Sequence, residues 1–253
     1  MKVINLKYLL IVLAVISIVV LYLIGRVPQY VQYHQFADAD ILYGISNFHN
    51  VISNLPFLFI GLLGMIFLKR NNHFSDVYEK AMCWVLFLGI SLLCFGSGYY
   101  HISPDNASLV WDRLPMTLIF SSLFSVILWD YLDQKTGRLA FVFFLPVGIL
   151  SVFYWWYTEL NGMGDLRPYI FMQFFPMLCI PVILIFSSNR KNTKSLILIL
   201  VFYSIAKFFE IFDISIMEYI GYGGHALKHF FAAIATYFIY DFMKRRVIVY
   251  NKL

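Results

Sequence analysis

Two histidines four residues apart, His225 and His229, open the apolar run "GHALKHFF". Residues at i and i+4 stand on one face of a helix, so these imidazoles stack one above the other. A second pair at the same spacing, Ser97 and His101, closes the stretch "GSGYYH", and Asp112 follows in "WDRLPM". Two histidines on one helix and a third from another can make a three-nitrogen metal site, with a fourth position left for water. Zinc suits such a site best: it accepts imidazole and tetrahedral geometry, and it lowers the pKa of a bound water towards about 7. Asp112 could take the proton from that water or orient a histidine. Ser97 could donate to a developing oxyanion. The plainer alternative is that each histidine only packs or hydrogen-bonds, since a lone His-x-x-x-His pair is a weak motif. "HALKH" also lacks the glutamate of the His-Glu-x-x-His protease helix, so a base has to come from elsewhere.

A second polar set lies in "KFFEIFD": Lys207, Glu210 and Asp213, at i, i+3 and i+6 and so roughly on one helix face. It reads either as an internal ion-paired network or as a proton relay and support for the histidines. Asp213 is the best placed of the three for support.

The elements that must carry these residues are membrane helices. Of the 253 residues, 61% are hydrophobic and only 13% charged. A soluble domain has about 45–50% apolar and about 25% charged residues. A spanning helix needs about 20 mostly apolar residues. Eight stretches qualify: 7–25, 48–68, 81–101, 112–132, 139–158, 168–187, 195–217 and 226–243. The first follows Lys2 and Lys7 but has no Ala-x-Ala-like cleavage site after it, so it reads as a retained anchor helix. Cys83, Cys94 and Cys179 all fall in apolar runs with no Cys-x-x-Cys spacing, so no disulfide is expected.

Basic residues set the orientation. Lys2, Lys7, Lys69, Arg70, Lys80, Lys135, Arg138, Arg190, Lys191, Lys194, Lys244, Arg245, Arg246 and Lys252 fall on one side, fourteen of the 19. Arg26, Arg113 and Arg167 fall on the other, and Lys207 and Lys228 lie within or at the edge of helices. Both termini are therefore expected in the cytoplasm, in the plasma membrane if the source is bacterial. The net charge of +5 reads as this topology signal, and no basic patch interleaved with aromatics points to nucleic acid. With that topology Ser97, His101, Asp112, His225 and His229 share one depth, just inside the non-cytoplasmic face. Ionisable residues within a membrane are costly and face the bundle or a cavity.

The stretches "NFHNVISNLPFLFIGLLG", "GSGYYHISPDNASLVWDRLPM" and "GHALKHFFAAIA" resemble the alkaline ceramidases and their bacterial relatives, within the CREST superfamily of membrane hydrolases. The family pattern is matched by Asn50, Ser53 and Asn54, then Ser97, His101 and Asp112, then His225 and His229. The resemblance covers residues 38 to 243. It implies an all-α, seven-helix membrane bundle, here preceded by one extra N-terminal helix. The division is then 1–37 for the anchor helix and outer loop, 38–246 for the catalytic domain and 247–253 for a cytoplasmic tail. The resemblance further implies that zinc is held by His101, His225 and His229, and that Ser97 and Asp112 complete the site. The expected reaction is hydrolysis of the amide of ceramide, or of a related N-acyl lipid, to fatty acid and sphingoid base. Metal-activated water attacks, the metal and Ser97 stabilise the oxyanion, and Asp112 protonates the leaving amine.

Two departures stand out. The helix at 7–25 is extra. The acid-rich calcium site of the eukaryotic members is reduced to Asp38 and Asp40, with Asn47 in place of the glutamate that opens the first shared helix. That weighs against calcium while leaving Asp38, Asp40 and Asn47 as its candidate ligands. The main rival reading is a non-catalytic, zinc-containing lipid receptor or sensor of the same superfamily. A haem protein would need facing histidine pairs and no Ser97 or Asp112. A transporter would gather its polar groups near the midplane.

Overall fold

The computed structural model describes residues 3–71, 74, 76–189 and 191–250, the side chains of Ile4 and of 247–250 excepted. Lys2, Arg190 and Lys252 of the basic pattern, and 251–253 of the expected tail, lie outside the described residues.

The regular structure is helical. In chain order the helices are α1 (Val3–Ile24), α2 (Phe48–Ile52), α3 (Leu55–Arg70), α4 (Val77–Ile102) and α5 (Asn106–Tyr131), followed by α6 (Gln134–Leu160), α7 (Arg167–Phe186), α8 (Thr193–Ile211), α9 (Asp213–Ile220) and α10 (Gly224–Tyr250). A short 3-10 turn covers Val31–His34. No strand occurs among the described residues; Leu42 and Ile45 form one isolated bridge. Among the described residues six helices, with α2 and α3 counted together, are long and apolar enough to cross a membrane, or up to seven if the bent pair α8–α9 is one span. Helix α10 carries Lys228, His229 and Asp241 in its apolar run and is less apolar than the six. Most of α1 is exposed, including Val15, Tyr22 and Leu23, an apolar surface suited to lipid.

The chain divides into two compact units that interleave along the sequence. One comprises Met1–Gln29, Phe74–Leu86 and Met116–Thr193. In it α1 and α6 both pack on α7. Helix α6 starts where the Asp133 carboxylate accepts from the Thr136 N–H at 2.9 Å, a side-chain N-cap. The turn between α6 and α7 is tied down by Asp165, which takes a two-point contact from the Arg167 guanidinium at 2.8 and 2.7 Å. The cysteines are buried and free.

The other unit comprises Tyr30–His73, Phe87–Pro115 and Lys194–Leu253, and it contains every candidate site residue. Here α10 packs on α2, α3 and α9. The expected continuous helix 195–217 is instead broken at Phe212, with α8 and α9 bent by 82°. The cause is Asp213. Its carboxylate accepts from the backbone N–H groups of Ala37 at 3.0 Å and His225 at 2.8 Å, which ties the start of α9 to the 30–37 segment and to the first turn of α10. A straight helix would carry that carboxylate away from both donors. Helix α9 then ends at Gly221, whose φ of 68° is the left-handed conformation that glycine adopts without strain.

Candidate metal centre

Helices α4 and α5 meet at Gly96. A β-carbon there would lie 2.0 Å from the Trp111 carbonyl oxygen, so only glycine permits this approach. The contact sits one residue before Ser97 and one before Asp112, and it brings those two side chains together. The Ser97 hydroxyl is a side-chain neighbour of the Asp112 carboxylate. One turn on from Ser97, α4 presents His101, which is fully buried. At the start of α10, Gly224 packs against the Phe209 carbonyl, where a β-carbon would stand 2.6 Å from the oxygen. That approach seats His225 and His229.

The three imidazoles converge. Ring centroids are 4.9 Å apart for His101–His225, 4.9 Å for His101–His229 and 5.0 Å for His225–His229. One ligand atom from each lies within 4.8 Å of the others, and all three residues are buried. His101 Nε2 and His229 Nε2 are 3.3 Å apart. Two nitrogens each about 2.0–2.1 Å from a tetrahedral ion stand about 3.3–3.4 Å apart, so this spacing fits one.

The partners of the rings assign their tautomers. The Ser53 hydroxyl donates to the Asn50 carbonyl at 3.0 Å and so accepts from the His229 Nδ1–H at 2.8 Å. His229 Nε2 is left with its lone pair. The Lys228 ammonium, which can only donate, lies 3.2 Å from His225 Nε2, so that nitrogen also carries a lone pair. His101 Nδ1 has no hydrogen-bond partner among the described residues. A buried, unsatisfied polar atom costs about 1–3 kcal/mol. The free Nε2 lone pair of His229 and the unpartnered Nδ1 of buried His101 fit a bound cation; three imidazoles are a donor set zinc takes.

Around the rings lies a layer that only the fold reveals. Phe36 covers two of them, its centroid 4.7 Å from His101 and 4.5 Å from His225. Lys228 also pairs with Glu210 at 2.9 Å, and Glu210 is held in turn by Lys207 at 2.5 Å and by the Tyr33 hydroxyl at 3.3 Å. A cavity of about 450 Å³ is lined by Tyr33, Phe36, Glu210, Asp213, Ser215 and His225, among others.

Of the set expected on one face, Lys207 and Glu210 do pair, whereas Asp213 lies beyond the helix break and braces the His225 backbone. Asp38 and Asp40 come together with His49, their ligand atoms within 4.8 Å of one another, though Asp40 is exposed. Asn47 is in a left-handed conformation, φ 48°, and its side-chain amide donates to the His101 carbonyl at 2.8 Å. Sequence reasoning passed over Lys228, although its place three residues after His225 puts it on the same helical face, and it passed over Phe36, for which no sequence signal exists.

No family model matches the chain, and no curated protein matches it.

Proposed function

We propose that this protein is an intramembrane, zinc-dependent amide hydrolase acting on ceramide or a related N-acyl lipid, as its resemblance to the alkaline ceramidases implies. The observation that carries the reading is the convergence of three buried imidazoles, with Asp112 and Ser97 neighbours on the two helices that meet at Gly96. Packing alone requires neither. His101, His225 and His229 would hold the ion, His229 through the Nε2 lone pair that its contact with Ser53 leaves free and His225 by giving up its contact with Lys228. Zinc, when bound, supplies Lewis acidity, making water a nucleophile near neutral pH and polarising the amide carbonyl.

The chain's own residues do the rest. Asp112 takes a proton from the attacking water on a carboxylate oxygen, with Ser97 beside that carboxylate. The water oxygen bonds to the carbonyl carbon, and the carbonyl π pair moves onto its oxygen. That pair returns as the C–N bond breaks, and Asp112 passes its proton to the departing nitrogen. The products are a fatty acid and an amine. The rings are buried and Phe36 covers two of them, and fixed charges act strongly on groups so placed. In this reading the chain crosses the membrane eight times with both termini cytoplasmic, and the centre lies towards the non-cytoplasmic face.

The test pairs metal content with activity. Protein purified in mild detergent is analysed for zinc and assayed for fatty-acid release from ceramides and other N-acyl lipids, alongside His225→Ala and Asp112→Ala. The expected result is about one zinc per chain, lost in His225→Ala, kept in Asp112→Ala, with release abolished in both. Zinc without turnover on any N-acyl lipid would favour a lipid receptor or sensor. Absence of zinc would overturn the mechanism.

A further inference from the structure

Lys228 is a buried cation beside the candidate metal centre, and the mechanism above leaves it without a role. Its side chain is 16% exposed, and its ammonium lies 3.2 Å from His225 Nε2 and 2.9 Å from Glu210 Oε1. Glu210 is anchored on its other oxygen by Lys207 and receives the Tyr33 hydroxyl as well. The ammonium is therefore held from behind and directed at the rim of the histidine cluster. An ammonium has three N–H donors. One is used by Glu210. Another points at a nitrogen that gives up its lone pair once His225 serves as a ligand, so that donor is released beside the reacting position. Ser97, the residue the sequence offered as oxyanion donor, has Asp112 as its side-chain neighbour.

Resting on the hydrolase reading, we infer that Lys228 is a catalytic residue. Its ammonium donates to the carbonyl oxygen of the scissile N-acyl group as that oxygen takes on negative charge, and Glu210 is the positioning residue that holds it there. Lys228 gives up no proton: the C–O bond forms, the C–N bond breaks, and the ammonium remains an ammonium throughout. A preorganised, largely buried cation stabilises such a charge more than it would in bulk water, because little solvent has to reorganise around it. The same arrangement predicts that the centre prefers tetrahedral anions to neutral lipids of the same shape.

The experiment uses the full chain, zinc-loaded in detergent, with two lipid probes matched in chain length. One is a phosphonamidate, with P(=O)(O⁻)–NH in place of C(=O)–NH; the other is an uncharged ether. Zinc content, kcat, KM and both affinities are measured for the wild type, Lys228→Met and Lys228→Arg. Lys228→Met is expected to keep about one zinc and to bind the ether as the wild type does. It should lose about 10²–10³-fold in kcat with little change in KM, the range for removing one oxyanion donor, and weaken for the phosphonamidate by a similar factor. Lys228→Arg should recover part of both losses. Unchanged phosphonamidate affinity in a zinc-replete Lys228→Met protein would overturn the inference, as would a wild type that does not favour the phosphonamidate over the ether. Should Lys228→Met not fold, the Lys228→Gln/Glu210→Gln double variant removes both charges of the pair and is judged by the same two outcomes. If the wild type hydrolyses no N-acyl lipid, the hydrolase reading fails on its own, and the anion-affinity comparison still decides whether Lys228 serves a tetrahedral oxyanion.

Discussion

Replacing Ser53 by alanine should weaken metal binding by about 10–100-fold. The Ser53 hydroxyl is the acceptor that fixes His229: it takes the Nδ1–H at 2.8 Å and passes its own proton to the Asn50 carbonyl. Removing it leaves a buried N–H without that acceptor, at a cost of about 1–3 kcal/mol, and every 1.4 kcal/mol is tenfold in an equilibrium constant. That agrees with the 10–100-fold typical of losing a ligand's outer partner. The Asn50 carbonyl, which also accepts from the ring, places the loss at the lower end of that range, whereas the other neighbour acts in the wrong sense. Asn54 Nδ2 stands 3.4 Å from the same nitrogen, and as a donor it favours the tautomer with the lone pair on Nδ1 and the proton on Nε2, where it would face the centre. Competition for zinc against a chromophoric chelator reads the affinity directly. Ser53→Thr, which keeps the hydroxyl, should stay within a few-fold of the wild type. An unchanged affinity in Ser53→Ala would refute both the tautomer assignment and the use of His229 as a ligand through Nε2.

Gly96→Ala should disturb the centre from a distance: its β-carbon would overlap the Trp111 carbonyl, and forcing α4 and α5 apart costs about 1–3 kcal/mol or more, read as a lower unfolding temperature together with reduced zinc occupancy. Asp165 should give the protein an acid-sensitive contribution. Burial alone would raise its carboxyl pKa, but the Arg167 guanidinium and backbone N–H, together with the Tyr154 hydroxyl, hold it below the usual carboxylate value. A depressed folded pKa means stability that is full above the unfolded value, about 3.9, and lost as pH falls through the folded one. Thermal unfolding of Asp165→Asn should therefore start lower at pH 7 and lose less on acidification below about pH 4 than the wild type; parallel curves would contradict this.

Local rules explain part of this centre. The His225–His229 spacing alone puts two rings on one face of α10, because helical geometry is set by neighbours in the chain, and the 5.0 Å separation of their centroids follows. Ser97 and His101 obey the same rule on α4. Asn47 was legible as a polar residue but not by its contact with His101, and Asp213 was legible as support for the histidines but not by its hold on the His225 backbone. One sits in a left-handed turn whose side chain reaches 54 residues along the chain to His101, and the other is separated from Glu210 by an 82° bend. No periodicity predicts that bend, since the carboxylate that causes it finds its donors on Ala37 and His225.

Taken by itself, the amino-acid sequence determined that the chain is helical and apolar enough for a membrane, because hydropathy and the demand for internal backbone hydrogen bonds act residue by residue. It also determined which side chains could serve as ligands. Only the tertiary structure decided that His101 joins the α10 pair, that Ser53 and Lys228 set the ring tautomers, and that Phe36 covers them. Those relations depend on close backbone approaches at Gly96 and Gly224 and on contacts between residues far apart in the chain, and such distances are fixed by packing in three dimensions rather than by spacing along it.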